Sequence, residues 1–197
     1  MTPIRLNKSA NKINVGILDL KPNRMDNVLL PFKIPVIFEE SVRYILCMPY
    51  KGKFKPKNPN KYIGDPTNII YRSLWERRFM VFCDMKDSVL EWGSEELFIP
   101  YKSPIDGRRH RYFVDFLVKV KNKEGFTETR LIEIKPKKQC SPPKKPQRKT
   151  KRYLQEIKTW VINESKWEAA KEYAESRGWT FQIITEDTLF SGKKNAK

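Results

Sequence analysis

Two alternating stretches joined by a three-residue loop restrict this chain more than any other feature in it. Across residues 110–120, Tyr112, Val114, Phe116, Val118 and Val120 fall on one face of an extended strand and leave Asp115 on the other. After a polar break, residues 130–135 alternate again: Leu131, Glu133 and Lys135 face one way, Ile132 and Ile134 the other. The connection Lys123-Glu124-Gly125 has glycine last, where a three-residue hairpin needs a left-handed residue. Closing it pairs Asn122 with Phe126. Counting away from the loop along both strands then brings Asp115 opposite Glu133, about 5 Å apart between Cβ atoms. Lys135 follows on the Glu133 face, roughly 7 Å further along the strand.

The flanking sequence predicts what packs on this hairpin. Asp65-Pro66 reads as a helix start, an N-cap carboxylate followed by proline at the first helical position, for a helix running to about Met85. Tyr71, Trp75, Phe79 and Phe82 would line one arc of that helix and Ile70, Leu74 and Val81 another, so it packs on two sides. Residues 89–92 and 96–101 read as strands around a Gly93-Ser94 turn. Residues 136–149 form a basic, proline-rich loop. From Thr150 to Arg177 the pattern is helical in two pieces breaking near Asn163, with Gly178 as the stop and residues 179–185 as a last strand. Reaching a sheet strand through a helix makes the sheet mixed. The expected fold class is therefore α/β: a helix, a three-strand region with a hairpin, helices and a final strand. Trp160, Trp167, Tyr173 and Trp179 lie at core spacing within it.

Residues 1–47 differ from the rest. Their short apolar runs are broken by Pro22, Pro31 and Pro35, which predicts an extended or poorly ordered N-terminal extension, with residues 48–197 as the domain. Met48 opens a segment that reads like a natural N-terminus, so a start upstream of the native one is the expectation. A peptide from residues 1–47 in the mass spectrum of the native protein would remove it.

The formal net charge of +17 calls for a polyanionic partner, and nucleic acid is the default. A basic structural protein of a ribosome or shell would share that charge. No run of eighteen apolar residues points to a membrane. Hydrophobic residues at 39% suffice for a real core. Cys47, Cys83 and Cys140 are far apart and read as reduced thiols in a cytoplasmic setting. His110 is the only histidine, which excludes two-histidine metal sites; metal chemistry here would need carboxylates and a hard cation, Mg²⁺ or Mn²⁺.

Two readings of the Asp115, Glu133, Lys135 face stand side by side. Facing carboxylates raise each other's pKa unless a cation intervenes, and a hard divalent ion would relieve them. Lys135 could then orient or deprotonate a water, or stabilise a pentavalent phosphate. The alternative is a solvated salt bridge on an exposed strand face. Glu76 lies on a largely apolar arc of its helix, where a carboxylate needs a cation. That cation is either the same metal or an arginine such as Arg72.

A helix with Ser73-x-x-Glu76, then Phe113-Val114-Asp115-Phe116, then Glu133-Ile134-Lys135 resembles the PD-(D/E)xK nuclease superfamily. The order of elements matches too. More narrowly the chain looks like the TnsA-like branch and, within it, the head-completion nucleases of T-even-type tailed phages. Tyr71-Arg72-Ser73-Leu74-Trp75-Glu76, Ile99-Pro100-Tyr101-Lys102-Ser103-Pro104 and Arg109-His110-Arg111-Tyr112-Phe113 carry that narrower likeness. Val114 stands where the superfamily's name has proline, and valine suits a strand better. The resemblance implies an endodeoxyribonuclease that hydrolyses phosphodiester bonds in double-stranded DNA. In it Asp115, Glu133 and the Ile134 carbonyl bind Mg²⁺, with Mn²⁺ as substitute. Lys135 is the catalytic lysine, and Glu76 helps to hold or shape the metal site. It further implies work in head completion with phage head or neck proteins, in the cytoplasm of the infected bacterium or in the virion, without a nucleotide cofactor. A DNA-binding head adaptor without activity, and a transposon or repair endonuclease, are the competing readings.

From Lys135 to Arg152 there are nine basic residues and no acidic one. Lys137, Lys138, Lys144, Lys145, Arg148 and Lys149 are the expected phosphate contacts, against the plainer reading of a solvated loop. Lys51, Lys53, Lys55, Lys57 and Lys61 form a second cluster. No base-reading motif accompanies either, so little sequence specificity is expected.

Overall fold

A computed structural model describes residues 51–190. Residues 1–47, the expected extension, and with them Cys47 and Met48, lie outside the described residues. The centre is the predicted hairpin. Strands β6 (Phe116–Lys121) and β7 (Thr127–Ile134) pair antiparallel from Lys121↔Thr127 to Phe116↔Ile132, in the register that the loop dictates. Gly125 takes φ +92°, and Asn122 Oδ1 accepts from the Glu124 and Phe126 amides at 3.0 and 2.9 Å, closing the loop on its own side chain. β3 (Val89–Ser94) adds antiparallel to β6, and β8 (Thr180–Ile184) adds parallel to β7. The sheet order is β3-β6-β7-β8, mixed as expected.

Alternation on β6 and β7 then assigns the two faces. Phe116, Val118, Val120, Ile132 and Ile134 point into one core with Phe79, Met80 and Cys83 of helix α1 (Leu74–Met85). Leu131 points the other way, into a second core with Ala170 and Ala174 of helix α2 (Lys151–Glu175). Tyr112 and Val114 bury in this second core, not in the one that Phe116, Val118 and Val120 fill. The shared face predicted for residues 112–120 is therefore divided at Asp115.

Four local expectations are corrected. Asp65-Pro66 does not start α1: Asp65 Oδ1 accepts from the amide and hydroxyl of Thr67 at 2.9 and 2.7 Å, making a turn. Residues Ile69–Tyr71 then form β2, paired with β1 (Gly52–Phe54). The helix starts at Ser73, whose Oγ accepts from the Glu76 amide at 3.1 Å. Gly93-Ser94 is not a turn but the end of β3. The following strand, β4 (Phe98–Lys102), pairs instead with β5 (Arg109–Phe113) as a separate two-stranded ribbon. α2 is one unbroken helix, because Asn163 is buried in its packed face and its modest helix penalty of a few tenths of a kcal/mol is outweighed there. It is capped by Thr150 and ends before Gly178 at φ +67°. Finally, the Lys51 to Lys61 cluster is partly structural. Asp84, 2% exposed, accepts from the amides of Lys57 and Asn58 at 2.7 and 3.0 Å, while the Lys61 ammonium sits on the carbonyls of Asp84 and Lys86.

Candidate active site

The hairpin register delivers Asp115 and Glu133 to one place. The β6–β7 ladder stops at Phe116↔Ile132, one step short of them, because the chain bends at Asp115 and its carbonyl accepts from the Glu95 amide at 3.2 Å. The Asp115 side chain keeps the ladder's direction: Oδ2 accepts from the Ile134 amide at 2.8 Å. Glu133 is 3% exposed. Its Oε2 accepts from the Tyr112 hydroxyl at 2.5 Å and its Oε1 meets the Lys135 ammonium at 2.8 Å. The three residues picked from spacing therefore converge, and Tyr112 joins them.

Electrostatics explains why this cluster is unusual for a strand face. Burial pushes the Asp115 carboxyl up to about 8, and the neighbouring Glu133 charge pushes it the same way. Burial also opposes the charge on Lys135, but Asp115 and Glu133 together raise it above an ordinary lysine. Burial and then Glu133 raise the Tyr112 hydroxyl as well. An exposed salt bridge would show none of this desolvation, so the solvated reading does not describe the site.

Glu76 stands at the first turn of α1. Its Oε2 accepts from the Arg72 amide at 2.7 Å and its Oε1 accepts from the Ser73 hydroxyl at 2.8 Å. Its negative charge reaches both Asp115 and Lys135. The Arg72 guanidinium goes to Glu95 instead, at 2.9 and 2.5 Å, and Glu95 has φ +56°. Among the described residues no three His, Cys, Asp or Glu side chains converge as a metal-ligand cluster. A cation here would draw on two carboxylates, a backbone carbonyl and water. That donor set of hard oxygens, with more carboxylate than Lys135 offsets, fits Mg²⁺ or Mn²⁺.

Two participants gave little signal in the sequence. Tyr112 was visible only as an inward strand residue. Lys166 of α2 places its ammonium 5.7 Å from the Tyr101 ring and 5.5 Å from the Tyr112 ring, and it feels the charges of Glu133, Lys135 and Asp115. Nothing in the spacing of α2 singles it out, since only the packing of α2 on the ribbon brings it there. In the basic loop Lys138, Lys144, Lys145, Arg148 and Lys149 are exposed. Lys137 is exposed too but already paired with Asp187 at 2.7 Å.

A mixed sheet flanked by helices, with paired acids and a lysine at the end of its central hairpin, defines a nuclease of the PD-(D/E)xK fold. Residues 86–186 match the TnsA-like endonuclease N-terminal family, and the chain belongs to that family. It is also similar to a protein named "Head completion nuclease" of Enterobacteria phage T4. The two are 46% identical over 146 residues, which span 72% of this chain and 95% of that protein. Among the described residues no helix is long and apolar enough to cross a membrane.

Proposed function

We propose that this endonuclease is magnesium-dependent and cuts double-stranded DNA during phage head completion, with little sequence specificity. The observation that carries the proposal is the largely desolvated Asp115 beside the buried Glu133, two acids that share the single ammonium of Lys135 and so favour a further cation. Asp115, Glu133 and the Ile134 carbonyl would hold Mg²⁺, or Mn²⁺ in its place. Such an ion supplies Lewis-acid polarisation of a phosphate oxygen and acidifies a water.

The protein's own groups do the rest. Tyr112 and the Ile134 amide hold the two carboxylates in position. Lys135, kept protonated by those carboxylates, can orient a water or donate to a phosphate oxygen, which fits its raised pKa better than proton abstraction. Glu76 shapes the site from the start of α1 and adds negative charge. Lys138, Lys144, Lys145, Arg148 and Lys149 hold phosphates beside the cut, while Lys137 must first leave Asp187 to do so. The name of the phage relative supports the setting of head completion. Head or neck proteins would be the partners, in the infected cell or the virion.

Plasmid nicking tests this directly. Wild type should nick with Mg²⁺ or Mn²⁺ and stop in chelator, and Asp115→Ala and Lys135→Ala should each lose about 100-fold or more. Equal nicking by all three proteins would remove the assignment.

A further inference from the structure

We infer that the outward face of the β4–β5 ribbon is a stacking platform for unpaired nucleotides beside the cut. This rests on the nuclease reading above. The ribbon's inward residues, Ile99, Tyr101 and Tyr112, are buried in the core shared with α2. Its outward residues form three cross-strand pairs: Phe98 with Phe113, Pro100 with Arg111, and Lys102 with Arg109. Phe98 and Phe113 are 49% and 47% exposed, with ring centroids 6.0 Å apart.

Folding alone does not ask for this face. Like charges directly opposite each other, as in Lys102 with Arg109, destabilise a strand pair. Two exposed phenylalanines on a two-stranded ribbon leave apolar surface in water. Neither strand carries an acidic residue. Asp106, in the connecting loop, is taken by the Arg108 amide at 3.1 Å and His110 at 2.8 Å. The Arg111 guanidinium lies 5.8 Å from the Phe98 ring, extending the aromatic surface with a cation.

Flat apolar rings flanked by cations, with no acid on either strand, match a strand with exposed base faces and a charged backbone. Bases inside a duplex are covered by their stacked neighbours, so only unpaired ones can use the rings. Phe113 precedes Asp115 by two residues, so the Cα atoms of the ribbon's end and of the site are at most about 7 Å apart. DNA with an overhang, fork or frayed end is therefore the favoured substrate.

The test uses the full chain carrying Asp115→Asn, so that DNA is bound and not cut. Fluorescence anisotropy compares a blunt duplex with the same duplex bearing a single-stranded overhang. The overhang should bind more tightly. Adding Phe98→Leu and Phe113→Leu should weaken overhang binding by about 10-fold or more and leave the blunt duplex within about twofold. Tryptophan at both positions should restore the preference, which a merely unfolded ribbon could not. Equal affinity for both DNAs in the parent, or equal weakening on both in the leucine variant, overturns the proposal. The face would then serve a protein or another part of this chain. Plasmid nicking by the leucine variant with Asp115 intact keeps the two readings separate. If wild type never nicks yet prefers the overhang, the nuclease reading fails and the platform stands.

Discussion

Asp115 is held where burial and charge work against each other. Its folded pKa, about 8, lies above the ordinary 3.8, so folding favours its protonated form. Below pH 3.8 the group is protonated in both states and its contribution is fully present. As pH rises toward 8 the unfolded chain releases the proton and the native state resists, so metal-free stability falls across that window. Chemical denaturation in chelator should show this fall, and Asp115→Asn should flatten it by up to a few kcal/mol. Because Asn can still accept from the Ile134 amide, an unaltered pH profile in that variant would mean that another group is responsible. Mg²⁺ should raise the melting temperature of wild type and not of Asp115→Asn, since a ligand stabilises only the state that binds it. These residue-scale effects rest on three positions that strand spacing identified. Tyr112 and Lys166 could not be found that way, because their roles come from which elements pack together.

The β6–β7 hairpin sets the distance between the two acids, and its loop is the part most open to test. Gly125 sits at φ +92°, so Gly125→Ala places a Cβ in a strained backbone and should cost about 1 kcal/mol or more. Urea unfolding measures that cost, and nicking should survive at temperatures where the variant stays folded. The start of α1 is another such point. Ser73→Ala removes the hydroxyl that accepts from the Glu76 amide and donates to its carboxylate. It should cost about 1 kcal/mol in thermal unfolding and loosen Glu76 beside the site. The hairpin was legible because glycine at the third loop position and strict alternation are both local constraints. Asp65-Pro66 and Ser73-x-x-Glu76 both carry capping chemistry, so local sequence does not decide between two helix starts. Pairing of Ile69–Tyr71 with β1 chose between them. Likewise nothing local forbids β3 and β4 from pairing. Only the competition of β6 for one and β5 for the other separates them.

Across the whole molecule the excess of positive charge is what the proposed DNA contact would draw on. If the basic loop holds phosphates, changing Lys144, Lys145, Arg148 and Lys149 to Gln should weaken binding uniformly across sequences. It should also reduce the salt slope by about 0.9 for each phosphate that is no longer neutralised. An unchanged slope in that variant would return the loop to a solubilising role. The charge, the absence of histidine pairs, the register of one hairpin and the identity of its facing acids were all determined by the sequence itself. They depend on residue type and near-neighbour geometry, which no distant contact can alter. Tertiary structure alone decided the rest. It desolvated Asp115, brought the Tyr112 hydroxyl and Lys166 ammonium to the site from other elements, and left Phe98 and Phe113 exposed. Burial and long-range approach are properties of the packed sheet and helices together, and they have no local signature.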